Sequence, residues 1–260
     1  MLTRRDFKGS DGRRAISACA VESTVDTVAH QACARPVEQS PHMNIVFDLG
    51  AVVIGWEPAR LLQAHFPERA PDPDAARVLA RAFFHHPDWQ EFDRGVRGVD
   101  DVVERTAARL ALPQDRLHDF VAPLGEHLMP IDTSVDLLST LRDRRSAGES
   151  IRLYYLSNMP VPYARALERR FSFFQWFDGG IFSGDVKLIK PDGDIYEMLA
   201  WRHGLAPSRT LFIDDMPANV EAARAQGWHA IHCTSPATLS THVLRQLDAL
   251  GTSSRTEPQT

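Results

Sequence analysis

The chain has 260 residues, 43% hydrophobic and 24% charged, the balance of an ordinary soluble globular protein of one large or two smaller domains. A net charge of −5 leaves no footprint for nucleic acid or an anionic membrane, and no apolar run approaches the length of a membrane span. Three cysteines, Cys19, Cys33 and Cys233, lack metal-site spacing and argue against a disulfide framework, which favours a reducing, cytoplasmic setting.

Residues 1–42 carry Arg4-Arg5, Arg13-Arg14 and a Ser/Thr/Ala-rich stretch with no sustained period. Thr3–Phe7, TRRDF, faintly resembles a twin-arginine export signal, but Glu22 and Asp26 interrupt the apolar region after Ala15–Val21. The favoured reading is an unstructured extension, with Met43 as an alternative start. A structured pattern begins with MNIVFDLGAVV at residues 43–53, an apolar strand buried on both faces that stops at one acid, Asp48.

Helical spacing follows at Pro58–Phe66, Asp74–Phe84, Val99–Leu112 and Asp115–Leu128, with no strand signal between them. The texture then alternates. Thr133–Arg145 reads as a helix, Ile151–Asn158 as a strand and Pro162–Phe171 as a helix. Gly179–Asp185 reads as a short strand, Asp194–Gly204 as a helix and Thr210–Asp215 as a strand. Pro217–Gly227 is a helix opened by proline and closed by glycine, and Trp228–Cys233 is the last strand. Residues 251–260 read as a disordered tail. Such alternation predicts an α/β fold, a Rossmann-like parallel sheet with helices on both faces. The core spans 43–57 and 130–250, and residues 58–129 form a helical insertion after the first strand.

In open parallel sheets, ligands bind beyond the carboxyl ends of the strands. Asp48 sits at the first such end, Ser157-Asn158 at the second and Asp214-Asp215 at the fourth, while Lys190 follows the third. Carboxylates gathered at one rim repel one another unless a cation compensates, and a hard divalent ion with oxygen ligands does so. A lysine balances residual charge, and a hydroxyl and an amide hold phosphate oxygens. Phosphoryl transfer needs mainly such positioning and neutralisation, and a carboxylate can itself be the nucleophile. Each residue alone has a plainer reading: Asp48 or Asp214-Asp215 as helix caps, Ser157-Asn158 as turn residues, Lys190 as a solvated side chain.

Four motifs in order, FDLGAV, LSN, KLIKPDGDIY and FIDDMPANVEAARAQG, together resemble the haloacid dehalogenase-like hydrolase superfamily. The resemblance covers Met43 to about Cys233. It implies that the helical insertion is the family's small α-helical cap. FDLG and the cap segment EFDRG, Glu91–Gly95, are similar to the subgroup containing bacterial sugar-phosphate phosphatases. By this resemblance Asp48 is the nucleophile and a magnesium ligand, with Gly50 (through its carbonyl), Asp215 and, nearby, Asp214 completing the metal set, and Gly50 and Ala51 are expected to let the backbone after Asp48 turn close to the ion. Ser157 and Asn158 hold the phosphoryl group, Lys190 neutralises charge, and Asn219 supports the acidic loop. The implied activity is magnesium-dependent hydrolysis of a small phosphomonoester, a sugar phosphate among the candidates, through an aspartyl phosphate. No nucleic acid or membrane partner is implied.

One position departs from the pattern. Many family phosphatases have a second aspartate two residues after the nucleophile as general acid and base; here it is Gly50. Proton donation is worth about 10²–10⁴-fold, so either another group substitutes or the leaving group is a good one. Candidate substitutes are Glu91, Asp93 and His86, and Glu91 and Asp93 are also expected to contact the substrate. Trp56 either lines the substrate entrance or packs. Two other readings are a 2-haloacid dehalogenase, which the intact Asp214-Asp215 pair opposes, and a catalytically weak regulatory member, which Gly50 motivates.

Overall fold

The computed structural model describes residues 42–253. The expected N-terminal extension before residue 42 and residues 254–260 of the expected tail lie outside the described residues.

Five strands form one sheet: β1 (Met43–Phe47), β2 (Ile151–Ser157), β3 (Gly179–Phe182), β4 (Thr210–Asp214) and β5 (His229–His232). Their order is β3-β2-β1-β4-β5, and every neighbouring pair is parallel. β1 lies between β2 and β4, with Phe47 opposite both Tyr155 and Ile213. The two central strands β1 and β4 are buried at every residue, which is why both read as unbroken apolar runs.

Alternate residues serve opposite faces. Ile45 and Phe47 join the larger core cluster, whereas Val46 joins the smaller one with Tyr154 and Phe212. Helices cover both faces. β1 leads into α1 (Pro58–His65), α2 (Pro73–Phe84), α3 (Pro87–Asp93), α4 (Val99–Leu110), α5 (Gln114–Val121) and α6 (Leu124–His127). The chain returns to β2 through α7 (Asp132–Ser146) and passes by α8 (Val161–Arg170) to β3. α9 (Ser183–Val186) and α10 (Gly193–His203) precede β4, α11 (Pro217–Ala225) joins β4 to β5, and α12 (Pro236–Ser253) ends the described chain. Leucines of α7 and α12 belong to the larger cluster; Ile195, Tyr196 and Leu199 of α10 and Ala223 of α11 belong to the smaller.

The fold class agrees with the sequence reading, and four local differences have clear causes. The helix expected over Asp115–Leu128 is two helices, because Pro123 lacks an N–H and its ring crowds the preceding turn. The strand expected to reach Asp185 stops at Phe182 and turns into α9. α3 was not anticipated: seven residues are too few to show a period. α12 was missed too, although Leu239, Val243 and Leu247 are buried at i, i+4 and i+8. It runs to Ser253, three residues into the tail expected from Gly251.

From β1 the chain adds β2 and β3 on one side, then crosses back to add β4 and β5 on the other. The strand order therefore reverses between β1 and β4, the place where open α/β sheets form a binding crevice.

Phe212 of β4 is fully buried, with its ring centroid 5.6 Å from Tyr196 and 6.2 Å from Trp228. Phe212→Ala should destabilise the protein by about 3–5 kcal/mol, read as a shift of the urea unfolding midpoint. A loss below about 1 kcal/mol would show that this face is loosely packed.

Candidate active site

The rim at the switch point is assembled from strand ends. β1 places Asp48 there, and its backbone N–H continues the ladder to Ile213 O at 2.8 Å. Asp48 Oδ1 accepts from the Leu49 N–H at 2.6 Å and lies 3.0 Å from Lys190 Nζ. The next turn is closed by N–H bonds of Val52, Val53 and Ile54 to Leu49 O, and Ser134 Oγ donates to Val52 O at 2.5 Å. Ala51, at φ 56°, is the residue in the left-handed region, not Gly50. A Cβ built on Gly50 meets nothing within 4 Å. The sequence reading gave Gly50 a share in the tight turn; the strain rests on Ala51 alone.

Lys190 is buried, and its ammonium is 2.6 Å from Asp214 Oδ2 as well as 3.0 Å from Asp48. Its backbone is held by Asn158. The Lys190 N–H donates to Asn158 Oδ1 at 2.8 Å, and Asn158 Nδ2 donates to Lys190 O at 2.9 Å. The Asn158 amide is thus spent largely on positioning the lysine. Ser157, buried at the end of β2, makes no side-chain hydrogen bond to protein among the described residues. Ser157 is one of the residues lining the chamber described below.

Asp214 is fully buried. Asn219 Nδ2 lies 3.0 Å from both of its oxygens, and the Met216 N–H donates to Oδ1 at 2.8 Å. With Lys190 on Oδ2, both oxygens are engaged, whereas the partly exposed Asp215 carries the freer carboxylate. Asp48, Asp214 and Asp215 each offer an oxygen within 4.8 Å of the others. Burial, opposed by Lys190 but reinforced by the other two acids, pushes the Asp48 carboxyl up to about 7. Burial and the Asp214 charge raise Asp215 as well. Burial opposes the Lys190 charge, but Asp214 and Asp48 outweigh it and raise its pKa. One ammonium against three carboxylates leaves a deficit of positive charge in a set of hard oxygen donors, which fits a divalent cation such as magnesium.

In front of this cluster lies a chamber of about 300 Å³. Asp48, Gly50, Ser157, Asn158, Lys190 and Asp215 all line it. Its other walls are largely apolar, with Trp56, Phe84, Trp89, Leu128, Met159 and Tyr163 contributing. Trp56 satisfies both sequence readings at once, lining the chamber while meeting Phe84 edge-on at 5.0 Å. Except for Trp56, these wall residues were not singled out in the sequence, since apolar positions on helices announce only burial.

The three candidate proton donors separate. Glu91 is ion-paired with Arg97, its side chain is 41% exposed, and it does not line the chamber; the expectation that it binds substrate is corrected. His86 caps α3, accepting from the Asp88 N–H at 3.1 Å, and is likewise outside. Asp93 lines the chamber. Its carboxyl has no hydrogen-bond or ion-pair partner among the described residues. Burial first, then the Asp48 charge, hold it well above the usual carboxylate range.

The segment that carries Asp93 is seated on the turn after β3. Ser183 Oγ donates to Asp93 O at 2.5 Å, and the Met159 N–H donates to Ser183 Oγ at 2.8 Å. Arg94 pairs with Asp192 at 3.3 Å. Gly95, at φ 71°, lies so close to Gly184 that any Cβ would collide with that residue's carbonyl.

Several known proteins are similar to this chain. A sesquiterpene phosphatase of Aspergillus oryzae is 27% identical over 203 residues, covering 78% of this chain and 94% of that protein. The phosphoglycolate phosphatase of Escherichia coli is 29% identical over 120 residues, and the matched stretch spans less than half of either chain, 46% and 45%. A magnesium and inorganic phosphate complex of a HAD family enzyme from Bacteroides thetaiotaomicron superposes with a TM-score of 0.57 at 18% identity. That likeness, over 73% of this chain and 93% of the other, speaks for the fold. The family model of haloacid dehalogenase-like hydrolases matches residues 45–227, a span that contains every rim residue described above. The chain belongs to the haloacid dehalogenase-like hydrolase family and is a hydrolytic enzyme.

Proposed function

We propose that the protein is a magnesium-dependent phosphatase acting on a phosphomonoester through an aspartyl phosphate on Asp48. The observation that carries this reading is the buried Asp48–Lys190–Asp214 group with Asp215 beside it, open to a chamber. Asp48, Asp215 and the Gly50 carbonyl would hold the ion, with Asp214 anchoring Lys190 and the acidic loop. The ion would supply the missing positive charge and draw in phosphate oxygens.

An Asp48 oxygen attacks phosphorus, and the bond from phosphorus to the ester oxygen breaks. Water then hydrolyses the aspartyl phosphate and restores the carboxylate. Lys190 favours the ionised form of Asp48 against the effect of burial and faces the charge that spreads over the phosphoryl oxygens, which the Ser157 hydroxyl and the second Asn158 N–H would hold. The helices between residues 58 and 129 act as a cap over the rim. Intact acidic residues at 214 and 215 speak against the dehalogenase reading.

The apolar walls favour a substrate whose alcohol is mainly hydrocarbon, the class named for the Aspergillus oryzae relative. A small polar phosphate, including a sugar phosphate, is the second reading and draws on the Escherichia coli likeness. A cytoplasmic setting is part of the same proposal; no helix among the described residues is long and apolar enough to cross a membrane.

Asp48→Asn should cut phosphate release by at least about three orders of magnitude, because an amide does not attack phosphorus. Activity near the parent's, in protein shown by mass spectrometry to be free of deamidation, would refute the nucleophile.

The raised Asp48 carboxyl links stability to pH. The folded state keeps this proton up to about pH 7, whereas the unfolded chain releases it near the ordinary 3.8. The folded state thus binds more protons in that window, and its contribution to stability is lost as pH rises from about 4 to 7. Magnesium should offset the loss, raising Tm more at pH 8 than at pH 5. An equal shift at both values would refute the carboxylates as its site.

If the walls select hydrocarbon, kcat/KM for a long-chain prenyl monophosphate should exceed that for a hexose phosphate by at least about tenfold, since each buried methylene contributes about 0.8 kcal/mol. The reverse order would support the sugar-phosphate reading.

A further inference from the structure

We infer that Asp93, brought to the chamber by α3, is the proton donor to the leaving alcohol in place of a carboxyl at position 50. The inference rests on the phosphatase reading above and adds a catalytic group to it.

Its support is geometric. Position 50 offers no acid, and the chamber must supply one if the ester oxygen is to leave as an alcohol rather than an alkoxide. Among the acids lining the chamber, Asp48 and Asp215 belong to the rim cluster beside Lys190. Asp93 comes to the chamber on α3, among the helices between β1 and β2, and among the described residues it has no cation or hydrogen-bond donor that would favour its ionised form. Tyr163, the nearby wall residue, spends its hydroxyl proton on Val121 O at 2.6 Å and leaves the carboxyl alone. Such surroundings favour the protonated carboxyl over the carboxylate, the direction in which burial and the Asp48 charge push Asp93.

The seat keeps that carboxyl in place. Ser183 grips its backbone carbonyl, Gly95 rests against the Gly184 carbonyl, and Arg94 pairs with Asp192. The donor is carried by α3 yet indexed to the β3–α9 turn of the sheet.

The step balances. An Asp48 oxygen forms its bond to phosphorus, the bond from phosphorus to the ester oxygen breaks, and that oxygen takes the Asp93 proton to leave as a neutral alcohol. When water attacks the aspartyl phosphate, its proton passes to the Asp93 carboxylate, phosphate departs, and both carboxyl groups regain their starting states.

The test is the leaving-group dependence of kcat/KM, which reports the steps up to alcohol release. In magnesium, the parent and Asp93→Asn are compared on p-nitrophenyl phosphate, whose phenolate needs no proton, and on a simple primary alkyl phosphate, whose alkoxide does. The expected result is a loss of about 10²–10⁴-fold on the alkyl ester with less than about threefold on the aryl ester. Retained aryl activity also shows that the variant folds. Asp93→Glu, which keeps an acid but displaces it, should recover part of the alkyl activity. Equal losses on both esters would make Asp93 a positioning residue and overturn the inference while leaving the phosphatase intact. A parent inactive on both esters would overturn the phosphatase reading and this inference with it.

Discussion

A single buried ammonium governs this architecture. Lys190 Nζ lies within 3.0 Å of carboxylates at the ends of two adjacent strands, β1 and β4, and all three side chains are largely buried. Removing either sign from such a group leaves an uncompensated charge in a medium that stabilises it poorly, a penalty of about 3–5 kcal/mol. The arrangement therefore constrains the fold. Asp48 and Asp214 meet only if β1 and β4 run parallel and in register, and Lys190 reaches them only from the opposite side of the switch point. Asn219 and the Met216 N–H then complete the coordination of Asp214, so the start of α11 is fixed by the same charge.

That constraint explains why the rim was legible in the sequence. A strand buried on both faces is an apolar run, so the residue that ends it stands out, and parallel strands bring such ends together. Asp48, Ser157 and Asp214 could be placed by this reasoning alone. The division of labour between neighbours could not. Nothing in the sequence says that Asp214 is consumed by internal hydrogen bonds while Asp215 is not. Nor does it show that Asn158 holds the lysine loop by both ends of its amide. Those outcomes depend on side-chain directions fixed by tertiary packing.

The helical insertion was legible only as helices. Glu91 and Asp93 are two residues apart, and at about 100° per residue they lie on nearly opposite sides of α3. One had to face Arg97 and solvent and the other the chamber, but which was which depends on where the helix is seated. The seat is a backbone carbonyl gripped by a serine hydroxyl and a glycine pressed on another carbonyl, neither of which leaves a periodic trace. Position 50 was misjudged for a similar reason. The turn demands one left-handed residue, and it is Ala51 that takes that conformation.

The paired hydrogen bonds between Asn158 and the Lys190 peptide have a mechanical consequence. A catalytic ammonium on a loop would ordinarily inherit the loop's thermal wandering. Here both polar atoms of the lysine's own peptide are latched to the residue that follows β2, so its position is calibrated by the strand spacing of the sheet, about 4.8 Å per step. Fluctuations entering through the outermost strand β3 or the short α9 meet this latch before they reach the charge cluster. The rim acts as a jig clamped to the sheet, and sequence drift after Gly184 that leaves the Ser183–Gly184 seat of Asp93 intact can accumulate without detuning it.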